Sequence, residues 1–127
     1  MAERYRRFAK SGITTETTVY TAPHDGEDTP GVAESVIIGF LIANTSTAAA
    51  EVTVELVGVD AAGADVSVKI ADTIPLPADS TVDIVPGKLV LQHGLDDTSP
   101  TPVLTADVLK LTSTQTCDVT ISVVERV

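Results

Sequence analysis

The chain has 127 residues and a formal net charge of −10, so it is long enough to build one domain around a hydrophobic core and too short for two. This charge excludes a simple nucleic-acid binder, because contacts from Lys and Arg to phosphates supply nearly all non-specific affinity for DNA. No apolar stretch reaches the roughly 20 residues that a transmembrane helix needs, so no membrane partner is predicted.

Half of the positive charge lies in the first ten residues. Their charged side chains are Glu3, Arg4, Arg6, Arg7 and Lys10. Their net charge is therefore 4 − 1 = +3, whereas the rest of the chain carries 8 − 4 = 4 basic and 18 − 1 = 17 acidic side chains, which makes −13. We predict that residues 1–12 form an extended basic N-terminal arm, joined through Ser11 and Gly12 to a β-sandwich domain of residues 13–127. The arm lacks the apolar region of a signal peptide, so synthesis in a cytoplasm is expected.

Residues 36–44 are the most apolar stretch of the chain, and they predict a central strand. Their β-branched side chains are frequent and both alternating faces are apolar, so we expect burial on two sides. Before this strand, residues 17–21 predict a first strand at a sheet edge. Residues 23–34 predict an acidic surface loop, because Pro and Gly interrupt them.

Alternation of apolar and polar residues predicts further strands in the second half of the chain. They cover residues 51–59, 66–70, 81–85, 88–92, 108–112 and 117–124. The first two are predicted to form a hairpin, residues 74–77 to interrupt regular pairing because Pro lacks a ladder donor, and residues 93–107 to form a second long loop. Seven or eight short strands predict an all-β protein, a single antiparallel β-sandwich of the immunoglobulin-like or jelly-roll kind. The strand order stays open at this point.

Four segments of the chain match a known pattern in their order and spacing. They are TTVYTAP at residues 17–23, VIIGFLIANTS at 36–46, IPLPADS at 74–80 with KLVLQ at 88–92, and VTISVVE at 119–125. Together they resemble the small β-sandwich virion proteins of tailed bacteriophages, which serve as head decoration, neck or collar, and tail accessory subunits. Members of this family usually have Gly and Asp after the strand that matches residues 88–92, whereas this chain has HGLDD there.

The resemblance implies a non-enzymatic structural subunit that is present in many copies on a virus particle. Its partners would be copies of itself and other virion proteins, such as the major capsid, neck or tail proteins. It would be a homo-oligomer without nucleic acid, membrane or cofactor, located in the virion after synthesis in the host cytoplasm. The resemblance does not distinguish the head, the neck and the tail.

The N-terminal arm is the strongest candidate for a binding element. Its candidate contact residues are Arg4, Tyr5, Arg6, Arg7, Phe8 and Lys10. Arg and aromatic side chains are frequent hot-spot residues, and an arm of charge +3 on a body of charge −13 is suited to bind a neighbouring copy. The alternatives are a solvated tail and an arm that folds back on its own acidic body.

Cys117 is the only cysteine of the chain, so it has no partner for an internal disulfide. Alternation places it on the apolar side of its strand, which predicts a small buried side chain. The alternative is an intermolecular disulfide to another virion protein in an oxidising medium.

The two predicted loops could offer oxygen ligands to calcium if they met at one end of the sandwich. The candidate ligands are His24, Asp25, Glu27, Asp28, His93, Asp96 and Asp97. The sequence lacks a spaced Asp-x-Asp-x-Asp-Gly loop, so solvated loops are the favoured interpretation and no metal site is predicted.

The sequence contains no catalytic motif of the Gly-x-Ser-x-Gly, glycine-rich phosphate-loop, Cys-x-x-Cys or His-Glu-x-x-His type, and we predict that the protein is not an enzyme. The competing hypothesis is a ligand-binding or receptor-binding module of a tail or head fibre. Sugar recognition usually needs exposed aromatic platforms. The chain has no Trp, and Tyr20 and Phe40 lie in predicted strands, so this hypothesis ranks second.

Overall fold

The structure, a computed structural model, describes residues 3–22, 34–59, 64–85, 87–96 and 103–126. Every regular element in these ranges is a β-strand. The strands are β1 Glu3–Ile13, β2 Thr17–Thr21, β3 Glu34–Asn44, β4 Ala50–Val59, β5 Asp65–Leu76, β6 Thr81–Asp83, β7 Leu89–Asp96, β8 Val103–Ala106, β9 Val108–Ser113 and β10 Cys117–Arg126. The described ranges contain no helix that is long and apolar enough to cross a membrane.

The strands form two antiparallel sheets that pack face to face. Sheet A has the order β1-β10-β3-β7-β8, with β6 pairing a second segment of β3, and sheet B has the order β2-β9-β4-β5. The first four strands alternate between the sheets, and the last two strands, β9 and β10, return beside β2 and β1. This order is that of a jelly roll. The predicted antiparallel β-sandwich is confirmed. Of the two predicted kinds, immunoglobulin-like and jelly roll, the strand order is that of the jelly roll.

Two local predictions are confirmed by the strand pairing. β2 is an edge strand of sheet B, although β1 and not β2 is the first strand, and β4 and β5 form the predicted hairpin. Residues 60–63 of the predicted hairpin turn and residues 23–33 of the first predicted loop lie outside the described ranges.

The core lies between the two sheets and is built by alternation along the strands. In β10, Cys117, Val119, Ile121 and Val123 are buried, whereas the residues between them are partly exposed. The largest fully buried side chains are Ile37, Phe40, Ile42, Val52, Val54, Leu91, Leu109, Leu111, Ile121, Val123 and Glu125. Burial of one large apolar side chain contributes about 1.5–3 kcal/mol, so these inner faces hold the two sheets together.

β3 is central in sheet A, as predicted, but it is buried on one face only. Ile37, Phe40 and Ile42 are fully buried, whereas Ile38 and Leu41 are each 45% exposed. A register shift in the pairing with β10 marks a β-bulge, which places Ile37 and Phe40 on the same face although they are three residues apart. The prediction of burial on two sides is wrong, because nothing in the described ranges covers the outer face of sheet A.

Proline does not interrupt β5. The strand runs to Leu76, and Pro75 lies opposite Glu51 of β4. β5 is an edge strand of sheet B, and an edge strand leaves part of its backbone donors facing away from the sheet, where Pro is tolerated. The predicted interruption is therefore wrong for residues 74–76, whereas the strand does end before Pro77.

Within the second predicted loop, residues 93–107, the described residues 93–96 and 103–106 are strand. Residues 93–96 pair with residues 103–106 in the β7–β8 hairpin, which extends the edge of sheet A. The local sequence is rich in turn formers and gives no apolar alternation here, so only the pairing with a neighbouring strand makes it extended. The prediction of a long loop is wrong for these residues.

The basic N-terminal segment is extended, as predicted, and it forms an edge strand of sheet A. β1 pairs antiparallel with β10 along its length, with one register break between Lys10 and Ile13. The predicted domain boundary at residue 12 falls inside this strand. The structure therefore has the arm folded back on its own sandwich, which is one of the alternatives that the sequence leaves open.

Candidate functional site

β1 presents two different faces, because side chains alternate along a strand. The outward residues Tyr5, Arg7 and Ala9 are exposed to solvent. The inward residues, which bind other strands of the same chain, are Arg4, Arg6, Phe8 and Lys10. Of the six predicted contact residues, four are thus engaged within the chain, and Tyr5 and Arg7 face outward.

The inward face of β1 meets a buried carboxylate. Glu125 of β10 is only 2% exposed. Arg4 Nε donates to its Oε1 at 2.9 Å, and Arg6 Nη1 donates to the same oxygen at 3.3 Å. The hydroxyl of Tyr20 donates to Oε2 at 2.6 Å. Both oxygens of the buried carboxylate are therefore hydrogen-bonded, which offsets the cost of removing its charge from water.

Alternation and a β-bulge position these groups. Glu125 follows Val123 by two residues, so it lies on the inner face of β10. In β2 the register shifts between Thr18 and Tyr20, and the consecutive residues Val19 and Tyr20 are both buried. The bulge directs the Tyr20 side chain from sheet B toward Glu125 in sheet A.

Phe8 packs between Arg6 and Tyr20 of the second sheet. Its ring meets Tyr20 edge-to-face, with centroids 5.1 Å apart and planes at 69°, a favoured aromatic geometry. The guanidinium carbon of Arg6 lies 4.7 Å from the Phe8 centroid, within the range of a cation–π contact. Lys10 Nζ donates to the carbonyl oxygen of Thr18 at 3.0 Å. β1 is therefore attached to both sheets.

The surroundings shift the pKa of both acidic groups in this cluster. Burial raises the pKa of the Tyr20 hydroxyl, and its hydrogen bond to Glu125 raises it further, so the hydroxyl stays protonated. Burial also opposes ionisation of Glu125, but the hydrogen bonds from Tyr20, Arg4 and Arg6 outweigh this effect and hold the pKa of the carboxyl below its ordinary value. The cluster is an ionised carboxylate between two arginines and a neutral tyrosine.

Ser35 of β3 forms the wall behind this cluster. It lies opposite Glu125 in the sheet and is fully buried. Its hydroxyl is near enough to lower the pKa of Tyr20 somewhat, but no atom in the described ranges meets hydrogen-bond geometry at its Oγ. The hydroxyl therefore adjoins the cluster without holding it together.

This arrangement is suited to hold a strand. A carboxylate that is closed to solvent, fully hydrogen-bonded and ionised has neither the access nor the raised pKa that a general acid needs. A buried anion that accepts hydrogen bonds from two arginines does, however, favour a basic strand over a neutral one. With a neutral strand in place, the charge of the carboxylate would remain unpaired in the core. The chemistry of the cluster is recognition of a cationic β-strand.

The outer face of sheet A carries an apolar row that crosses four strands. Tyr5 lies opposite Val124, Val124 opposite Val36, and Val36 opposite Val90. Tyr5 is 78% exposed and Val90 is 51% exposed. Together with the two exposed residues of β3, this row forms what we call the outer apolar face, made of Tyr5, Val36, Ile38, Leu41, Val90 and Val124.

Charge is nearly absent from the middle of the outer apolar face. Three neighbouring rows of outward residues cross β1, β10 and β3, and they begin at Tyr5, Arg7 and Ala9. Arg7 is the one charged side chain in these rows. An exposed apolar patch with charge confined to its rim is typical of protein–protein contact sites. The face is therefore the second candidate interaction surface.

Cys117 is fully buried, as alternation predicts. Its Sγ lies 3.1 Å from Ser113 Oγ. An intermolecular disulfide would require the strand end to open first, so this alternative gains no support and stays a prediction.

The candidate calcium ligands lie outside the part of the chain whose side chains the structure describes. Residues 23–33 and 97–102 fall outside it, as do the side chains of residues 92–96. Those residues include His24, Asp25, Glu27, Asp28, His93, Asp96 and Asp97. Among the residues that the structure describes, no group of three or more His, Cys, Asp or Glu is placed to hold a metal ion.

No sequence motif marks Glu125 and Tyr20 as partners of the basic segment. A signal for Glu125 was present, because it continues the alternation of Val119, Ile121 and Val123 and so falls on the buried face. A carboxylate on a core face requires a cation, and the basic segment supplies one. The inward turn of Tyr20 has no comparable signal, since it depends on the bulge in β2.

Comparison with solved structures finds this fold in viral particles. The chain is similar to a chain of the T13 viral particle of infectious bursal disease virus, with a TM-score of 0.55 and 15% identity over 97% of this chain and 30% of that chain. It is also similar to a chain from the Gt strain of this virus, with a TM-score of 0.53 and 13% identity over 98% of this chain and 32% of that chain. The chain thus spans about a third of the length of those proteins. At this identity the likeness shows the fold alone. No family model and no curated protein matches the sequence.

Proposed function

We propose that the protein is a non-enzymatic structural subunit of a virus particle, present in many copies and acting through protein–protein contacts. The finer proposal is a subunit of a tailed bacteriophage that decorates or reinforces the head, or that belongs to the neck or collar. Its partners are copies of itself and other virion proteins, and its place is the virion.

The outer apolar face of sheet A is the observation that carries this proposal. Copies with a net charge of −10 repel one another in most orientations. Association is most favourable where apolar side chains such as Tyr5 and Val90 are exposed, because these side chains bring no charge of their own to the contact. We therefore assign this face to a second copy of the chain.

The fold supports the same proposal. Jelly rolls are common in viral capsid domains, and the two similar chains come from viral particles. A shared fold alone does not determine function. The virus of those chains is not a bacteriophage, so the phage assignment depends on the resemblance of the four sequence segments.

The fibre-module hypothesis has less support. Tyr20 is 3% exposed and Phe40 is 0% exposed, so neither ring is available as a platform for a sugar. Tyr5 is well exposed, but it lies within the apolar row of the face that we assign to a second copy.

Mass spectrometry of purified virus particles tests the proposed function. We expect the chain in a fixed ratio to a shell or neck protein, at many copies per particle. A particle map would then locate the jelly roll on the head, the neck or the tail. Absence of the chain from purified particles would overturn the proposal.

A matched pair of variants tests the assigned face. Val90→Asp places a carboxylate on the outer apolar face, and Thr112→Asp places one at an exposed position of sheet B. The two variants have the same net charge, and circular dichroism should show both of them folded. We expect Val90→Asp to lower the number of copies per particle and Thr112→Asp to leave it unchanged. Equal incorporation of both would remove this face from the proposal.

A further inference from the structure

We propose that β1 is exchanged between copies: residues 3–10 leave their own sandwich and pair with β10 of a second copy, where Arg4 and Arg6 bind Glu125 of that copy. The inference rests on the proposed function, since it describes how copies in a particle are linked. Three features support it, namely a hinge, a groove that requires a basic strand, and the charge of the strand itself.

A hinge separates residues 3–10 from the rest of the chain. The register with β10 breaks between Lys10 and Ile13. Gly12 lies in this break with a φ of +69°, and a Cβ at this position would meet no atom within 4 Å. Glycine adopts left-handed and extended conformations with similar ease, so the chain can straighten here without a steric clash. Straightening gives up the hydrogen bond from Gly12 N to Asp118 Oδ1.

The chain on the other side of the hinge stays anchored. Ile13 is 4% exposed and belongs to the core. Residues 3–10, in contrast, are exposed at every position except Phe8, which is partly buried. Segments with few buried contacts open at a lower free energy than the core does, so this strand can leave while the rest of the sandwich stays folded.

The groove that β1 leaves requires a basic strand. Without β1, Glu125 keeps the hydrogen bond from Tyr20 at Oε2 and loses both donors at Oε1. Water can reach the carboxylate once β1 has left, but it replaces neither the two cations nor the backbone hydrogen bonds that β10 made with β1. The groove is therefore filled by the β1 of the same copy or by an identical strand from a second copy.

Exchange between identical copies restores the contacts that residues 3–10 make in their own sandwich. The backbone ladder with β10, the pair of arginines on Glu125 and the contact of Phe8 with Tyr20 are the same in both arrangements. The difference in free energy is therefore limited to the hinge and to the association itself, which is why strand exchange is a low-cost route to oligomers. Each exchanged strand also carries its outward Tyr5 into the outer apolar face of the second copy.

The charge of the strand selects the partner. The first ten residues have a net charge of +3 and the rest of the chain has −13. A released strand is thus attracted to the body of any second copy, which steers the encounter. Salt screens this attraction, so the encounter of a released strand with a second copy should be slower at high ionic strength.

A pair of introduced cysteines tests the exchange. Ala9 lies opposite Thr120 on the outer face of sheet A, and Cα atoms of opposed residues in antiparallel strands are about 4.5–5.5 Å apart, within the range of a disulfide. The variant Ala9→Cys/Thr120→Cys is allowed to assemble, is then oxidised, and is run on a denaturing gel without reductant. The single variants Ala9→Cys and Thr120→Cys are the matched controls.

The exchange predicts covalent dimers or longer chains from the double variant, and none from either single variant. It also predicts that a dilute monomer oxidised before assembly stays monomeric until a reductant frees its β1. Disulfides confined within single chains in the assembled state, together with normal assembly of the oxidised monomer, would overturn the exchange.

The test separates the exchange from the proposed function. If the wild-type chain is found in particles while every disulfide of the assembled double variant is internal, the exchange fails and the proposed function stands. If the wild-type chain is missing from particles, the proposed function fails. The pair Arg7→Cys/Ser122→Cys, which is also opposed in the register, replaces the first pair if that variant does not fold.

Discussion

The outer faces of the two sheets are built from different chemistry. In sheet B, Glu55 of β4 lies opposite Lys69 on one side and Lys110 on the other, so opposite charges alternate across three strands. In sheet A, the corresponding row runs from Tyr5 to Val90 and is apolar throughout.

This difference separates a face suited to water from a face suited to protein. Opposite charges across strands stabilise a solvated sheet by a few tenths of a kcal/mol to about 1 kcal/mol per pair. An exposed apolar row gives no such benefit in water, and it favours association unless another surface covers it. Sheet B therefore fits the solvent side of an assembled subunit, and sheet A fits the contact side.

The largest difference in stability is expected between substitutions on the two faces of β3. Phe40 is fully buried, whereas its neighbour Leu41 is 45% exposed on the outer apolar face. We expect Phe40→Ala to lower the free energy of unfolding by about 3–5 kcal/mol, and Leu41→Ala by less than about 1 kcal/mol. Urea denaturation measures both. Similar losses for the two variants would contradict the assignment of inner and outer faces.

The second largest difference in stability is expected between variants of the inward and the outward cations of β1. The double variant Arg4→Gln/Arg6→Gln leaves Glu125 buried without a cation, so we expect a loss of about 2 kcal/mol, between the values for exposed and fully buried pairs. The control Arg7→Gln/Lys88→Gln removes the same charge from exposed positions and should change stability by less than about 0.5 kcal/mol. Equal losses would show that Glu125 does not hold the strand.

Stability should fall at acid pH through Glu125. Its pKa in the folded protein is held below the ordinary 4.5, so its contribution is present above that value and is lost as the pH falls through the folded pKa. Denaturation from pH 7 to pH 2 measures this dependence. Glu125→Gln should flatten the acid limb relative to the wild type, and an unchanged limb would contradict the role of this carboxylate.

The alkaline limb should depend on Tyr20. Burial and the hydrogen bond to Glu125 raise the pKa of its hydroxyl above the ordinary 10.0. Its contribution is therefore present below pH 10.0 and is lost as the pH rises beyond it. Tyr20→Phe should remove this part of the loss, as denaturation above pH 9 would show. If the stability of the variant falls with pH as steeply as that of the wild type, groups other than Tyr20 cause the alkaline loss.

Removing a charge from the outer face of sheet B should have the smallest effect on stability and on incorporation into particles. Glu55 lies on the solvated outer face, where Ser67 Oγ donates to it at 3.0 Å. We expect Glu55→Gln to change the free energy of unfolding by less than about 0.5 kcal/mol and to leave the number of copies per particle unchanged. A clear loss of incorporation would contradict the assignment of sheet B to solvent.

Local patterns predicted most strands of this chain and failed where a neighbour decides the outcome. The alternation in residues 117–124 correctly placed Cys117 on the buried face. The two sides of β3 look alike in sequence, yet one is core and one is surface, since no local signal tells which side meets sheet B. The β7–β8 hairpin was missed for the same reason, because its residues are extended through pairing rather than through propensity.

For the candidate site, the sequence pointed to the basic segment and not to its partner. Composition alone distinguished residues 1–10, because charge is counted without knowledge of the fold. The division of that segment into inward Arg4 and Arg6 and outward Tyr5 and Arg7 required the register with β10.

By itself, the sequence determined an all-β sandwich with an extended, basic first segment, because composition and alternation act over a few neighbouring residues. Only the tertiary structure decided the jelly-roll order, the exposed side of β3 and the pairing of Arg4 with Glu125, which are 121 positions apart in the chain. These features depend on which distant strands lie side by side. Strand pairing places the basic segment β1 beside the buried carboxylate of β10, although the two are far apart in the sequence.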